Sequence, residues 1–364
     1  MKIGITLDMS IAFWANGMQQ NIVFLYSLLS QAKNDCYYLT YKSPSYELHK
    51  DHKGMMLDDV LNDNSEIFDV IIVAGFDLLP EMYSKLKRRN KKLKIILLHF
   101  GNKLMDDVNY GICSSDSKRE PLQKSNFIDQ VWISPCHDFS KEYIKTYYDT
   151  KNVYTVPYIW SSFFIEDKVK KLSEKSYSPY FRKKDVGKIC IFEPNLSHIK
   201  NCIIPIAICE RFNNMFPKEL DSVNVFSCER VRRNKFFEKL MNQFSIVSAE
   251  EKCYFNNRWG ALDALSRFGS TVIAHQIYNE LSYSYLEVLY LGLPLIHNSP
   301  VLEGVGYYYP EFDVNMGANQ LKSAIQNHSL IINDYKKDAS DLLRGFCPNK
   351  ESNISVYIDL LKNE

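Results

Sequence analysis

Short apolar runs alternate with stretches of helical spacing along this chain, and the alternation occurs twice. Residues 2–7 read as a buried strand and 21–29 as a helix; strands at 70–74 and 95–98 flank a helix at 79–89, and a strand at 130–134 precedes a helix at 140–147. The pattern restarts with strands at 189–192, 223–226, 271–274 and 294–297 and helices at 203–212 and 285–291. Such alternation predicts parallel sheets covered by helices, an α/β fold. With 364 residues the chain has room for two such domains. The Lys-rich stretch 166–187, set among Ser, Pro and Tyr, reads as a linker or an exposed crossing helix. The expected boundaries are therefore 1–165, a linker 166–187, a second domain 188–345, and a C-terminal helix at 346–364 that packs back on the first domain.

Charge and cysteine usage narrow the function classes. The chain carries 44 basic and 43 acidic residues, a formal charge of +1, so the field that draws in a nucleic-acid backbone is missing and no nucleic-acid partner is expected. No run of about 18 apolar residues predicts a membrane span. Nine cysteines without a CxxC pair point to a reducing cytoplasm, with neither a disulfide framework nor a cysteine zinc site. His49 and His52 form the one close histidine pair and read as a polar loop. No metal site is expected: Asp58-Asp59 and Asp106-Asp107 are adjacent acids of a kind common on polar surfaces.

In open parallel sheets ligands collect beyond the carboxyl ends of the strands. Four such places carry suitable residues. The loop around Asn16, Gly17, Gln20 and Asn21 combines a glycine with uncharged donors and acceptors. His99 follows a strand, where it could bond a sugar hydroxyl or move a proton. The segment from Phe192 to Asn201 holds Asn195 and Lys200, a lysine placed to neutralise a diphosphate, and lacks both the GxGxxG and the GxxxxGKS patterns. The segment from His275 to Asn298 places Glu287 in an otherwise apolar helix, a costly arrangement unless the charge is partnered. A ribose diol is a suitable partner and a salt bridge is the alternative. Gly292 supplies the helix stop and Pro294 the entry to the next strand.

These residues carry a resemblance. Glu287-x4-Gly292-x-Pro294 ahead of an apolar strand is similar to the nucleotide-sugar signature of GT-B glycosyltransferases, whose two facing Rossmann-like domains hold the active site in a cleft. The resemblance assigns Glu287 to the ribose and Lys200 to the diphosphate, with Asn195 standing where that family has arginine. It places His99 near the donor sugar and matches the loop at Gly17 to the family's N-terminal glycine loop. The segments SIAFWANGMQQNIVFL, IFEPNLSHIKNCIIPIAICE and HQIYNELSYSYLEVLYLGLPLIHNSP resemble a bacterial family catalogued only as a domain of unknown function (two-eight-two-seven) and grouped with those enzymes. Position 279 is Asn, and the nearest acid is Glu280, where the family has the first of two glutamates.

The resemblance implies a cytoplasmic glycosyltransferase that moves a sugar from a nucleotide-diphosphate donor to a hydroxyl of a glycan, a lipid-linked acceptor or a protein. No cofactor or metal is implied, and retention of configuration is favoured. Lys200 and a helix N-terminus would stabilise the leaving diphosphate. His99 is the expected catalytic residue. Glu287, Lys200, Asn195 and Gly292 are expected around the nucleotide; His275, Gln276, Asn279, Glu280 and Ser282 around the sugar or diphosphate; Asn16, Gly17, Gln20 and Asn21 on the acceptor side. An epimerase of the same fold and a non-catalytic nucleotide- or carbohydrate-binding protein are the alternatives. The basic run from Lys85 to Lys94 reads either as a peripheral contact with an anionic membrane or as a solvated helix end. Tyr307-Tyr308-Tyr309 reads as a sugar-stacking platform or as core.

Overall fold

The computed structural model describes residues 1–10, 17–41, 51–62, 67–113, 121–122 and 124–363. It divides the chain into two compact units, one formed by residues 1–161 together with 346–364 and the other by 162–345.

The first unit is built on seven strands: β1 (Lys2–Thr6), β2 (Asp35–Thr40), β3 (Gly54–Met56), β4 (Val70–Val73), β5 (Lys94–His99), β6 (Gln130–Ile133) and β7 (Val153–Thr155). All pairs are parallel, in the order β3-β2-β1-β4-β5-β6-β7. The order reverses direction between β1 and β4, which pair in register with Ile5 opposite Ile72. Every residue of β4 and β6 is buried, as expected of strands covered by helices on both faces. At the reversal the Thr6 hydroxyl accepts the N–H groups of Ala74 and Gly75, at 2.8 and 3.1 Å. A Cβ on Gly75 would lie 2.7 Å from the Thr6 carbonyl oxygen, so this approach of two strand ends requires glycine.

The helix Glu351–Lys362 completes this unit. Its Tyr357 meets Trp132 edge to face at 5.5 Å and donates its hydroxyl to the Pro157 carbonyl at 2.8 Å. Gln130 and Lys94 cap the same helix by donating to the Leu360 and Leu361 carbonyls. Lys87, also from the basic run, is tied to Asp129 at 2.7 Å. Two of that run's cations are thereby spent inside the unit.

The second unit repeats the plan with β8 (Lys188–Ile191), β9 (Ser222–Val225), β10 (Cys253–Phe255), β11 (Thr271–Ile273), β12 (Leu295–His297) and β13 (Tyr307–Tyr308), in the order β10-β9-β8-β11-β12-β13. Its reversal lies between β8 and β11. The stretch 166–187 belongs to this unit, which starts at residue 162. That corrects the linker expectation, and the reason is bonding: Arg182 donates to the Leu265 and Gly269 carbonyls and pairs with Asp185, while Lys168 pairs with Asp263. Arg182 and Lys168 thus fasten the segment down.

Cysteines 36, 136, 190, 202, 209, 228 and 253 are buried free thiols. Among the described residues, no helix is long and apolar enough to cross a membrane, and no cluster of three His, Cys, Asp or Glu side chains is placed to hold a metal ion.

Candidate functional site

The loops that follow β8 and β11 meet at the carboxyl end of the second sheet. Ile277 donates its N–H to the Ile199 carbonyl at 2.9 Å, and Lys200 and Gln276 form an antiparallel bridge. Two segments singled out separately in the sequence are therefore one structure. Both loops hold a residue in the left-handed region, Asn195 at φ 54° and Tyr278 at φ 52°. Asparagine tolerates that conformation and tyrosine does not, which marks the second loop as strained.

Asn195 is consumed by the turn. Its side-chain amide donates to the Glu193 and Phe226 carbonyls at 2.9 and 3.1 Å, and its oxygen accepts the Cys202 N–H at 2.9 Å. It shapes the loop that carries Lys200. Gln276 is held on its main chain by Asn298, in both directions, and Asn279 donates to its side-chain oxygen. Ser282 is the N-cap position of the helix Tyr283–Tyr290, and its hydroxyl lies 3.0 Å from that of Ser284. Glu280 is half-buried, with Tyr308 in electrostatic range.

Glu287 lies on that helix among buried Tyr283, Leu286, Val288 and Leu289. Burial pushes its carboxyl up to about 7, and no side chain among the described residues pairs with it. Gly292 acts at the end of the helix, at φ 67°. Gly292 donates to the Leu289 carbonyl at 3.0 Å and Leu293 to the Val288 carbonyl at 3.1 Å, the paired bonds of a glycine-terminated helix. Its contribution is to aim β12.

His275 is buried beside Tyr309, whose hydroxyl lies 2.9 Å from Nδ1 and 3.2 Å from the Ala274 carbonyl. Burial pulls the imidazole down to about 4, so the ring is neutral at physiological pH. Tyr307 and Tyr309 are buried, the first bonded to His328 at 3.0 Å, which makes this run part of the core beside the sheet edge.

One residue of this site was passed over in the sequence. Glu193 follows β8 and is 3% exposed. Its Oε1 accepts the His275 N–H at 3.1 Å, which stitches the two loops together. Desolvation pushes the carboxyl up to about 8 against the opposing attraction of Lys200. The available signal was an acid directly after an apolar strand.

In the first unit, His99 closes β5 with Nε2 3.1 Å from the Tyr148 hydroxyl. Desolvation, aided by the Lys103 charge, pulls its pKa down to about 3. Buried Lys103 pairs with Asp107, which also accepts the Tyr143 hydroxyl, and its Nζ sits 3.8 Å from the centre of the Tyr147 ring. Asp107 is thus committed within the protein. Gly17 opens the helix Gly17–Gln31 instead of lying in a loop, and Gln20 and Asn21 are buried on its first turn. Asn16 and His49 lie outside the described residues.

A model of the family described as "Protein of unknown function (DUF2827)" matches residues 3–361. No curated protein matches the sequence. Sucrose-phosphate synthase from Thermosynechococcus elongatus is similar in structure, at 12% identity over 99% of this chain and 98% of that one, with a TM-score of 0.61. HepE of Anabaena, in complex with UDP-glucose, is similar at 11% identity over 99% of both chains, with a TM-score of 0.60. An alpha-glucosyltransferase in complex with UDP and a 13-mer DNA containing a HMU base is similar at 12% identity over 100% of both chains, with a TM-score of 0.61. These likenesses establish the fold, a GT-B architecture of two Rossmann-like domains.

Proposed function

The chain belongs to this family of proteins of unknown function, and within it we propose a glycosyltransferase that takes a sugar from a nucleotide-diphosphate donor and passes it to an acceptor hydroxyl. The observation that carries the reading is the bridge between Lys200 and Gln276, which brings a cationic loop and the segment leading to Glu287 to one end of the second sheet. Lys200 offers charge to a diphosphate, and Glu287 offers a partnerless carboxyl to a diol. UDP and UDP-glucose in the structural neighbours support the donor class.

Transfer is proposed to proceed without a metal, with retention of configuration, and with Lys200 stabilising the charge that develops on the leaving diphosphate. His99, held neutral, serves as a hydrogen-bonding group near the donor sugar. The acceptor is a hydroxyl of a glycan, a lipid-linked molecule or a protein. DNA belongs in the acceptor panel because one neighbour is bound to it, which leaves net charge as the sole argument against nucleic acid.

The test is a thermal-shift series with EDTA present, using UDP, GDP, CMP, dTDP and ADP and their common sugars, followed by product analysis with the acceptor panel. At 100 times its dissociation constant a ligand of the folded state adds about 2.7 kcal/mol. Stabilisation by one donor, and sugar transfer from it, support the reading. Sugar consumption without an acceptor points to an epimerase, and failure of every nucleotide to stabilise the protein overturns the site.

A further inference from the structure

Beyond the carboxyl ends of β8, β11 and β12, four buried side-chain atoms have no hydrogen-bond partner among the described residues: Glu193 Oε2, His275 Nε2, Tyr285 Oη and Ser299 Oγ. Buried polar atoms are ordinarily satisfied, and an orphan is destabilising. Four at one end of one sheet form a shared deficit. Glu193 and His275 are joined through the His275 N–H, and the Glu193 charge bears on both Tyr285 and Tyr309.

The chemistry of the group is specific. It consists of a carboxyl, an imidazole, a phenol and a hydroxyl, with Lys200 as the cation acting on the carboxyl. A polyol suits such a set, because each hydroxyl both donates and accepts and so pairs with a carboxyl in either protonation state, an imidazole nitrogen or a phenol.

We propose that Glu193 is a sugar-binding residue, its Oε2 hydrogen-bonded to a hydroxyl of the donor's sugar while Tyr285 and His275 Nε2 bond neighbouring hydroxyls. The inference rests on the donor reading given above and locates the sugar relative to Lys200: the diphosphate lies at the lysine and the sugar at Glu193. Because Oε1 is already bound to the His275 N–H, the carboxyl is held in one orientation and its second oxygen is the one available.

The experiment compares wild type with Glu193→Gln by calorimetric titration against UDP-glucose, UDP-N-acetylglucosamine, GDP-mannose and dTDP-glucose, and against UDP, GDP and dTDP. Glutamine keeps the shape and can still accept the His275 N–H, so folding is checked by the melting curve and by affinity for the bare nucleotide. The expected result is a loss of tenfold or more in affinity for the nucleotide sugar, with affinity for its parent nucleotide changed by less than twofold. Tyr285→Phe should show the same asymmetry to a smaller degree. An equal loss for sugar and bare nucleotide, or no loss for either, overturns the inference while the donor site stands. If wild type binds none of the seven probes, the donor reading falls and this inference with it.

Discussion

Glu193 and His275 come from different strands and are joined by one hydrogen bond of 3.1 Å, from the His275 N–H to the Glu193 carboxyl. The bond spans the point where the second sheet reverses direction. In open α/β sheets that is the place where a crevice for ligands forms, and the orphaned atoms, Lys200 and the loop bridge all gather there.

Lys200→Ala and Glu287→Ala should each weaken donor binding by about 1–3 kcal/mol, the range for losing a charged hydrogen bond. Calorimetric titration with the nucleotide sugar identified by thermal shift is the measurement. Wild-type affinity in both variants would displace the nucleotide from this end of the sheet.

The contribution of Glu193 and Glu287 to stability should fall as pH rises from about 4.5 to about 8, while the buried, neutral histidines act in the opposite sense below about 6.5. Glu193 and Glu287 titrate in the folded state at about 8 and about 7, above their unfolded value, so in this window the folded chain binds more protons than the unfolded one. Glu193→Gln and Glu287→Gln should each flatten the decline, with the gain over wild type growing toward pH 8. Melting temperatures across a pH series would test this, and parallel curves for variant and wild type would contradict it.

Gly292→Ala should lower stability by about 1–2 kcal/mol, since φ is 67° and the added Cβ would lie 2.3 Å from Lys336 Cε and 3.0 Å from its Cγ. Urea unfolding reads the change. Calorimetric titration of the same variant reads whether the nucleotide also depends on this position: an affinity loss beyond the stability change would support the nucleotide contact that the resemblance implies.

The His99 ring should show no titration between pH 5 and 8 in NMR spectra, because desolvation keeps it neutral down to about pH 3. His99→Gln should retain folding, read from its melting curve. An inflection near 6.5 in the His99 signals would restore it as an acid or base of the reaction.

The sequence displays the strands that lie deepest. The runs at 70–74 and 130–134 match β4 and β6 because strands buried on both faces must be apolar throughout. β2 escapes notice, since Asp35-Cys-Tyr-Tyr-Leu-Thr40 alternates character near the sheet edge, and β13 is two residues long. At the site, Lys200 and Gln276, read separately from type and position, are brought together by one bridge. Asn195 and Gly292 stand where they were sought but serve the backbone, which only the bond partners of Asn195 and the φ of Gly292 reveal. Glu193 goes unseen because nothing local distinguishes a buried acid from a solvated one; its environment comes from β11, far along the chain.

The first unit is split in sequence, with residues 346–364 supplying its last helix and Tyr357 closing over Trp132. On the ribosome, chain order and order of completion therefore diverge. Residues 162–345 are continuous and have all their partners once residue 345 has emerged, whereas the N-terminal unit, synthesised first, must wait for the final helix. A premature stop shortly after Gly345 would leave the second unit whole and the first with the Trp132 face exposed.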